Sequence, residues 1–145
     1  LDGNKIGLLP ILPKALKRLD VSSNQLTVLT RQQTQFAEGY NTQPKQKHIT
    51  EIEQGALAQC NSLVSLEIKE NRLVSLTDLP KSEKLDIVAV SFNRIREFEQ
   101  FENCPNLTVL ILSDNKVEKL SAGIIHLKKL KTLDISNNDL SDLPS

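Results

Sequence analysis

Four side chains in this sequence could by type carry nucleophilic, redox or metal chemistry: the thiols of Cys60 and Cys104 and the imidazoles of His48 and His126. A thiol nucleophile needs a base beside it, and a zinc site needs several Cys or His ligands in short clusters. Neither pattern occurs, because the cysteines lie far apart and the histidines complete no ligand cluster. The stretch HLKKLK (126–131) concentrates Lys128, Lys129 and Lys131, but Asp134, Asp139 and Asp142 follow it, as on a solvated rim. No glycine loop for phosphate, nucleophile–base pairing or paired-carboxylate signature is present, so the residues predict neither catalysis, metal, cofactor nor a small-molecule substrate. The charges balance, 18 Lys plus Arg against 18 Asp plus Glu, which argues against nucleic acid and anionic membrane as partners. No apolar run approaches the roughly 20 residues that a membrane helix needs.

The elements that must position any site are set by a repeat. The segments LVSLEIKENRLVSL (63–76), LDIVAVSFNRIREF (85–98), LTVLILSDNKVEKL (107–120) and LKTLDISNNDLSDL (130–143) all fit L-x-x-L-x-L-x-x-N-x-L-x-x-L. LKRLDVSSNQLTVL (16–29) fits as well, and LDGNKIGLL (1–9) is the tail of another copy. Within each copy x-L-x-L-x alternates with period two, which predicts a short strand with its leucines inward. The chain must then turn, and the Asn at each corner has both donors and an acceptor for backbone groups that no ladder reaches. Asn4, Asn24, Asn71, Asn93, Asn115 and Asn138 are therefore expected to stack into a ladder. One unit cannot bury its apolar face alone, so stability comes from stacked neighbours.

The motif resembles that of leucine-rich repeat proteins. The resemblance implies an α/β repeat: a solenoid with a concave parallel sheet and short helical, 3-10 or extended convex segments. It also implies a non-catalytic role in binding a protein or peptide on the concave face. The subfamily stays undetermined. LLPILPKALKRL resembles the Leu-Pro-x-x-Leu repeats of bacterial effectors, the units from Asn71 to Asn115 resemble those of intracellular phosphatase-regulating and nuclear proteins, and LSAGIIHLKKLKTL (120–133) resembles the 23-residue type of cytoplasmic signalling proteins. These likenesses leave open a recognition segment of a larger enzyme, such as a ubiquitin ligase effector, or a phosphatase regulatory subunit.

The corner spacings are 20, 47, 22, 22 and 23 residues, and 47 divides into 23 plus 24. A corner at Lys47 places Ile49 and Ile52 at the positions that follow a corner, and GALAQCNSL (55–63) reads as a return segment. The matching strand fails, because its positions fall on Gly39, Thr42 and Pro44, and proline cannot donate to a ladder. Residues 30–48, with five glutamines, read either as a degenerate repeat or as a mobile loop that lets the strand at 63–68 pair directly with that at 16–21. The whole chain, 1–145, is expected to be a single solenoid of about seven repeats, counting a partial first and the degenerate one. Leucines left without a cap at both ends predict a fragment of a longer protein.

Outward columns follow from the strand alternation. One holds Arg18, Ser65, Ile87, Val109 and Thr132; the next Asp20, Glu67, Ala89, Ile111 and Asp134; the third Ser22, Lys69, Ser91, Ser113 and Ser136. Ile87, Ala89, Val109 and Ile111 form an apolar centre within a rim of Glu67, Lys69, Glu70, Asp114 and Asp134, the anatomy of a protein interface. Phe92 either joins that centre or packs across its own corner. Cys60 and Cys104 each precede a corner Asn by eleven residues, two repeats apart. At about 4.8 Å per strand their separation is roughly 10 Å, too far for a disulfide, which predicts two free, buried thiols. Free thiols favour a reducing compartment, hence an intracellular protein, cytoplasmic or nuclear. The sequon Asn106-Leu107-Thr108 points the other way, though so short a match arises often by chance.

Overall fold

The computed structural model describes residues 12–23, 28–29, 51–52, 57, 60–76, 79–98 and 101–141. Each described x-L-x-L-x run forms a three-residue strand: β1 (Arg18–Asp20), β4 (Ser65–Glu67), β6 (Ile87–Ala89), β8 (Val109–Ile111) and β9 (Thr132–Asp134). They form one parallel sheet in the order β1-β4-β6-β8-β9. The register aligns Leu19, Leu66, Val88, Leu110 and Leu133 across it. Short strands suffice because the inward residues of neighbouring units close one continuous core.

Past the corners at Asn71 and Asn93, and at two earlier points, the chain runs into a second tier of two-residue strands. Here β5 (Ser75–Leu76) pairs in parallel with β7 (Glu97–Phe98), and β2 (Val28–Leu29) with β3 (Glu51–Ile52). The return segments are tight turns and short 3-10 helices, one at Phe101–Asn103 and one at Ala122–His126. The second is opened by Ser121, whose Oγ accepts from the Gly123 amide at 3.2 Å. Bonds from Leu63 to Cys60, Leu107 to Cys104 and Leu130 to Leu127 close the same turn in successive repeats. Phe98 and Phe101 are buried and meet edge to face at 5.3 Å, filling the core where one repeat carries aromatics in place of leucines.

Between the first two strands of the sheet the solenoid is uneven. β1 pairs directly with β4, Arg18 opposite Ser65, so no strand intervenes in the main sheet. In the second tier β3 does intervene, lying between β2 and β5. Ile52, one of the two isoleucines placed after a corner at Lys47, belongs to β3. Residues 30–48 themselves, with Asn4 and Asn24 of the corner series and His48, lie outside the described residues.

The cysteines are free, and both are buried. Ser82 and Leu127, at the matching positions of neighbouring repeats, are buried as well, while Pro13, at the matching position of the first described repeat, is exposed. Cys104 Sγ lies 3.5 Å from the carbonyl of Pro80, and burial pushes its pKa up to about 11, with Cys60 raised for the same reason. At neutral pH both are protonated and poor nucleophiles.

Candidate functional site

The corner geometry fixes which side chains the sheet presents. Asn93 Nδ2 donates to the carbonyls of Ile68, Val90 and Ser91 at 2.8–3.2 Å, and its Oδ1 accepts from the Leu73 amide at 2.9 Å. Asn115 makes the same set with Val90, Leu112, Ser113 and Ile95. Asn138 repeats it with Leu112, Ile135, Ser136 and Val117. Each amide thus ties its own corner to the repeat before it. Asn71 is the exception: Nδ2 donates to Val21 and Lys69, and its buried Oδ1 accepts nothing among the described residues. This Asn stands at the junction where the two tiers fall out of step.

One regularity is not legible in the pattern of leucines. The residue before every described corner has left-handed backbone: Ser23, Glu70, Phe92, Asp114 and Asn137, with φ between 51° and 55°. Asn and Asp tolerate that region, whereas a bulky aromatic rarely enters it. Phe92 is held there by the corners around it, its amide bonded to the Ser113 carbonyl, and its ring is 56 % exposed. It does not fold across its corner into the core.

The register brings the expected apolar residues together, Ile87 opposite Val109 and Ala89 opposite Ile111. Ile87, Val109 and Ile111 are half-buried and accessible from the open face. Ala89 differs from the expectation. It is only 4 % exposed, because its methyl is short and its register partners Glu67 and Ile111 stand on either side; it is the floor of the patch and not a contact. Ser22, Ser91 and Ser113 also depart from the outward column assigned to them. They are buried, with Ser113 Oγ donating to Ser91 Oγ at 3.2 Å and Ser22 Oγ accepting from the Lys69 amide at 3.0 Å.

Around the patch the carboxylates are fixed in place. Lys69 Nζ reaches Glu67 at 2.7 Å. Glu70 accepts from Ser23 Oγ at 2.7 Å, Asp114 from Asn137 Nδ2 at 2.9 Å, and Asp134 from the amide and Oγ of Ser136 at 3.0 and 2.6 Å. Asp86, which the sequence did not single out, accepts from Thr108 Oγ1 on the neighbouring repeat. The Ser136 hydroxyl, aided by its amide, holds the Asp134 pKa below the ordinary carboxylate value. At Asp20 partial burial works to raise the pKa, but the Ser22 hydrogen bonds outweigh it and the net shift is downward.

A cavity of about 680 Å³ opens elsewhere, between second-tier segments of neighbouring repeats, lined by Arg96, Glu97, Phe98 and residues 118–122. Its charged side chains are exposed and cancel in sign. Among the described residues no group of three His, Cys, Asp or Glu side chains could hold a metal, and no helix is long and apolar enough to cross a membrane.

Known proteins share this repeat. Residues 105–145 match the family described as Leucine Rich repeats (2 copies). The chain is a leucine-rich repeat protein. Lumican of Homo sapiens is 28 % identical over 150 residues, covering 99 % of this chain and 44 % of its own length, and that of Rattus norvegicus is 29 % identical with the same coverage. The volume-regulated anion channel subunit LRRC8D of Rattus norvegicus is 33 % identical over 104 residues, 72 % of this chain and 11 % of its own length. This leucine-rich repeat chain therefore spans less than half of the lumicans it matches. Leucine-rich repeats generally mediate contact between proteins, using the extended surface that stacking creates.

Proposed function

We propose that this chain is a non-catalytic module of an intracellular protein that binds a protein or peptide on its concave face. The observation that carries the reading is the cluster of Ile87, Val109 and Ile111 on two adjacent strands, with Phe92 standing free beside it and polar residues on every side. Covering three such aliphatic side chains contributes on the order of 1.5–3 kcal/mol each, enough to decide a micromolar contact. Two buried, unpaired thiols support the reducing compartment.

A second reading has its own support. The match to the channel subunit occupies 11 % of that protein, so repeats like these also serve as one segment of a much larger chain. In that case the module recognises a target for an activity that lies in other domains. A native protein that migrates at this chain's own mass removes that reading.

The test of the main reading compares the wild-type chain with an Ile87→Glu, Ile111→Glu variant whose circular dichroism is unchanged. Partners captured from lysate are identified, purified and titrated against both. The expected result is at least about a tenfold loss of affinity in the variant, since two apolar contacts are replaced by charge. A purified partner that binds both alike moves the interface off this face.

A further inference from the structure

The charge around the concave patch names the partner more narrowly; the inference rests on the concave-face reading above. Five carboxylates border the patch, Glu67, Glu70, Asp86, Asp114 and Asp134, against the ammonium groups of Lys69 and Lys131 and, one strand further out in the column of Ile87, the guanidinium of Arg18. Lys69 is already spent on Glu67. Among the described residues, Glu70, Asp86, Asp114 and Asp134 have no cationic partner; each is positioned by neutral donors from Ser23, Thr108, Asn137 and Ser136. Neutral donors hold a carboxylate's orientation while leaving its charge uncompensated. A face with an apolar centre and uncompensated negative rim repels nucleic acid and anionic lipid, and complements a segment of opposite sign.

We propose that the occupant of this face is a cationic protein segment in which an aliphatic or aromatic anchor is flanked by lysine or arginine. The anchor lies over Ile87, Val109 and Ile111 with Phe92 closing one side. The flanking cations reach the Glu70 and Asp114 carboxylates at the corner edge, Asp134 at the end of β9 and Asp86 at the opposite edge, where β6 begins.

The experiment selects a displayed library of random peptides on the immobilised chain, then titrates synthetic copies of the enriched sequences against soluble protein by fluorescence anisotropy. The expected pool is basic with at least one large apolar residue. Its affinity falls by about tenfold between dilute buffer and molar salt, where the Debye length shrinks to about 3 Å. A similar loss is expected for the chain with Asp114→Asn and Asp134→Asn, which keep the shape and the hydrogen bonds and remove only charge. Neutral or acidic peptides that bind the wild type and not the Ile87→Glu, Ile111→Glu variant overturn the cationic occupant while leaving the concave site intact. Peptides that bind both proteins equally overturn the site and this inference together. Failure of any peptide to enrich overturns the inference. So does a wild-type chain that self-associates in sedimentation equilibrium while the same glutamate variant stays monomeric, since the occupant is then a second copy.

Discussion

Phe92 occupies backbone that Asn137 occupies in the last described corner, at φ 55° and 53°. A non-glycine residue pays roughly 1–2 kcal/mol in that region, and asparagine relieves part of the cost by local hydrogen bonding. Phe92→Asn is therefore expected to raise stability by about 0.5–1 kcal/mol, read as a higher urea midpoint with unchanged slope, while weakening partner binding. A lowered midpoint means that the ring stabilises the fold and is not held out for a partner. At the thiols the direction is equally definite. Burial raises the pKa of Cys104 to about 11 and also raises that of Cys60. Because the folded value lies above the unfolded one, the protonated thiol's contribution to stability is complete at neutral pH and is lost as pH climbs through the folded value. Iodoacetamide at pH 8 should leave both cysteines unlabelled in the native chain and modify both in denaturant; rapid native labelling at pH 8 contradicts the burial.

Among the elements, the corner is where side-chain amides replace a missing ladder. Asn115 is buried and serves three carbonyls and one amide, whereas Asn138 makes the same bonds at a half-buried corner that water reaches. Asn115→Ala is expected to cost about 3 kcal/mol and Asn138→Ala about 1 kcal/mol, measured by chemical denaturation. Equal losses show that solvent does not rescue the exposed corner. The corner asparagines were legible because they recur at fixed spacing. The left-handed residue before each of them was not, since Ser, Glu, Phe, Asp and Asn share no side-chain property that announces it. It is imposed by the closure of the turn between two strands.

For the whole molecule, the aligned leucines show how stacking sets stability. Leu110 is completely buried between neighbours on both sides, and Leu133, its register partner on the last strand, is 37 % exposed. Leu110→Ala should cost about 3 kcal/mol, and Leu133→Ala about 1 kcal/mol, by thermal or urea unfolding. Hydrogen exchange should likewise be faster in β9 than in β6 or β8. If Leu133→Ala costs as much as Leu110→Ala, β9 is covered in solution by another surface.

The sequence by itself determined the repeat and the parallel stacking of its units, because period two in each strand and a recurring corner leave one way to stack them. It also located the apolar centre formed by Ile87, Val109 and Ile111. Only the tertiary structure decided that Ala89 sinks between longer neighbours, that Ser22, Ser91 and Ser113 turn inward, and that Phe92 stands clear of the core. It alone showed a second tier with one layer more than the main sheet between β1 and β4. These outcomes depend on the length of side chains one repeat away and on which tier a degenerate segment can still join, and residues more than twenty positions apart in the chain settle both.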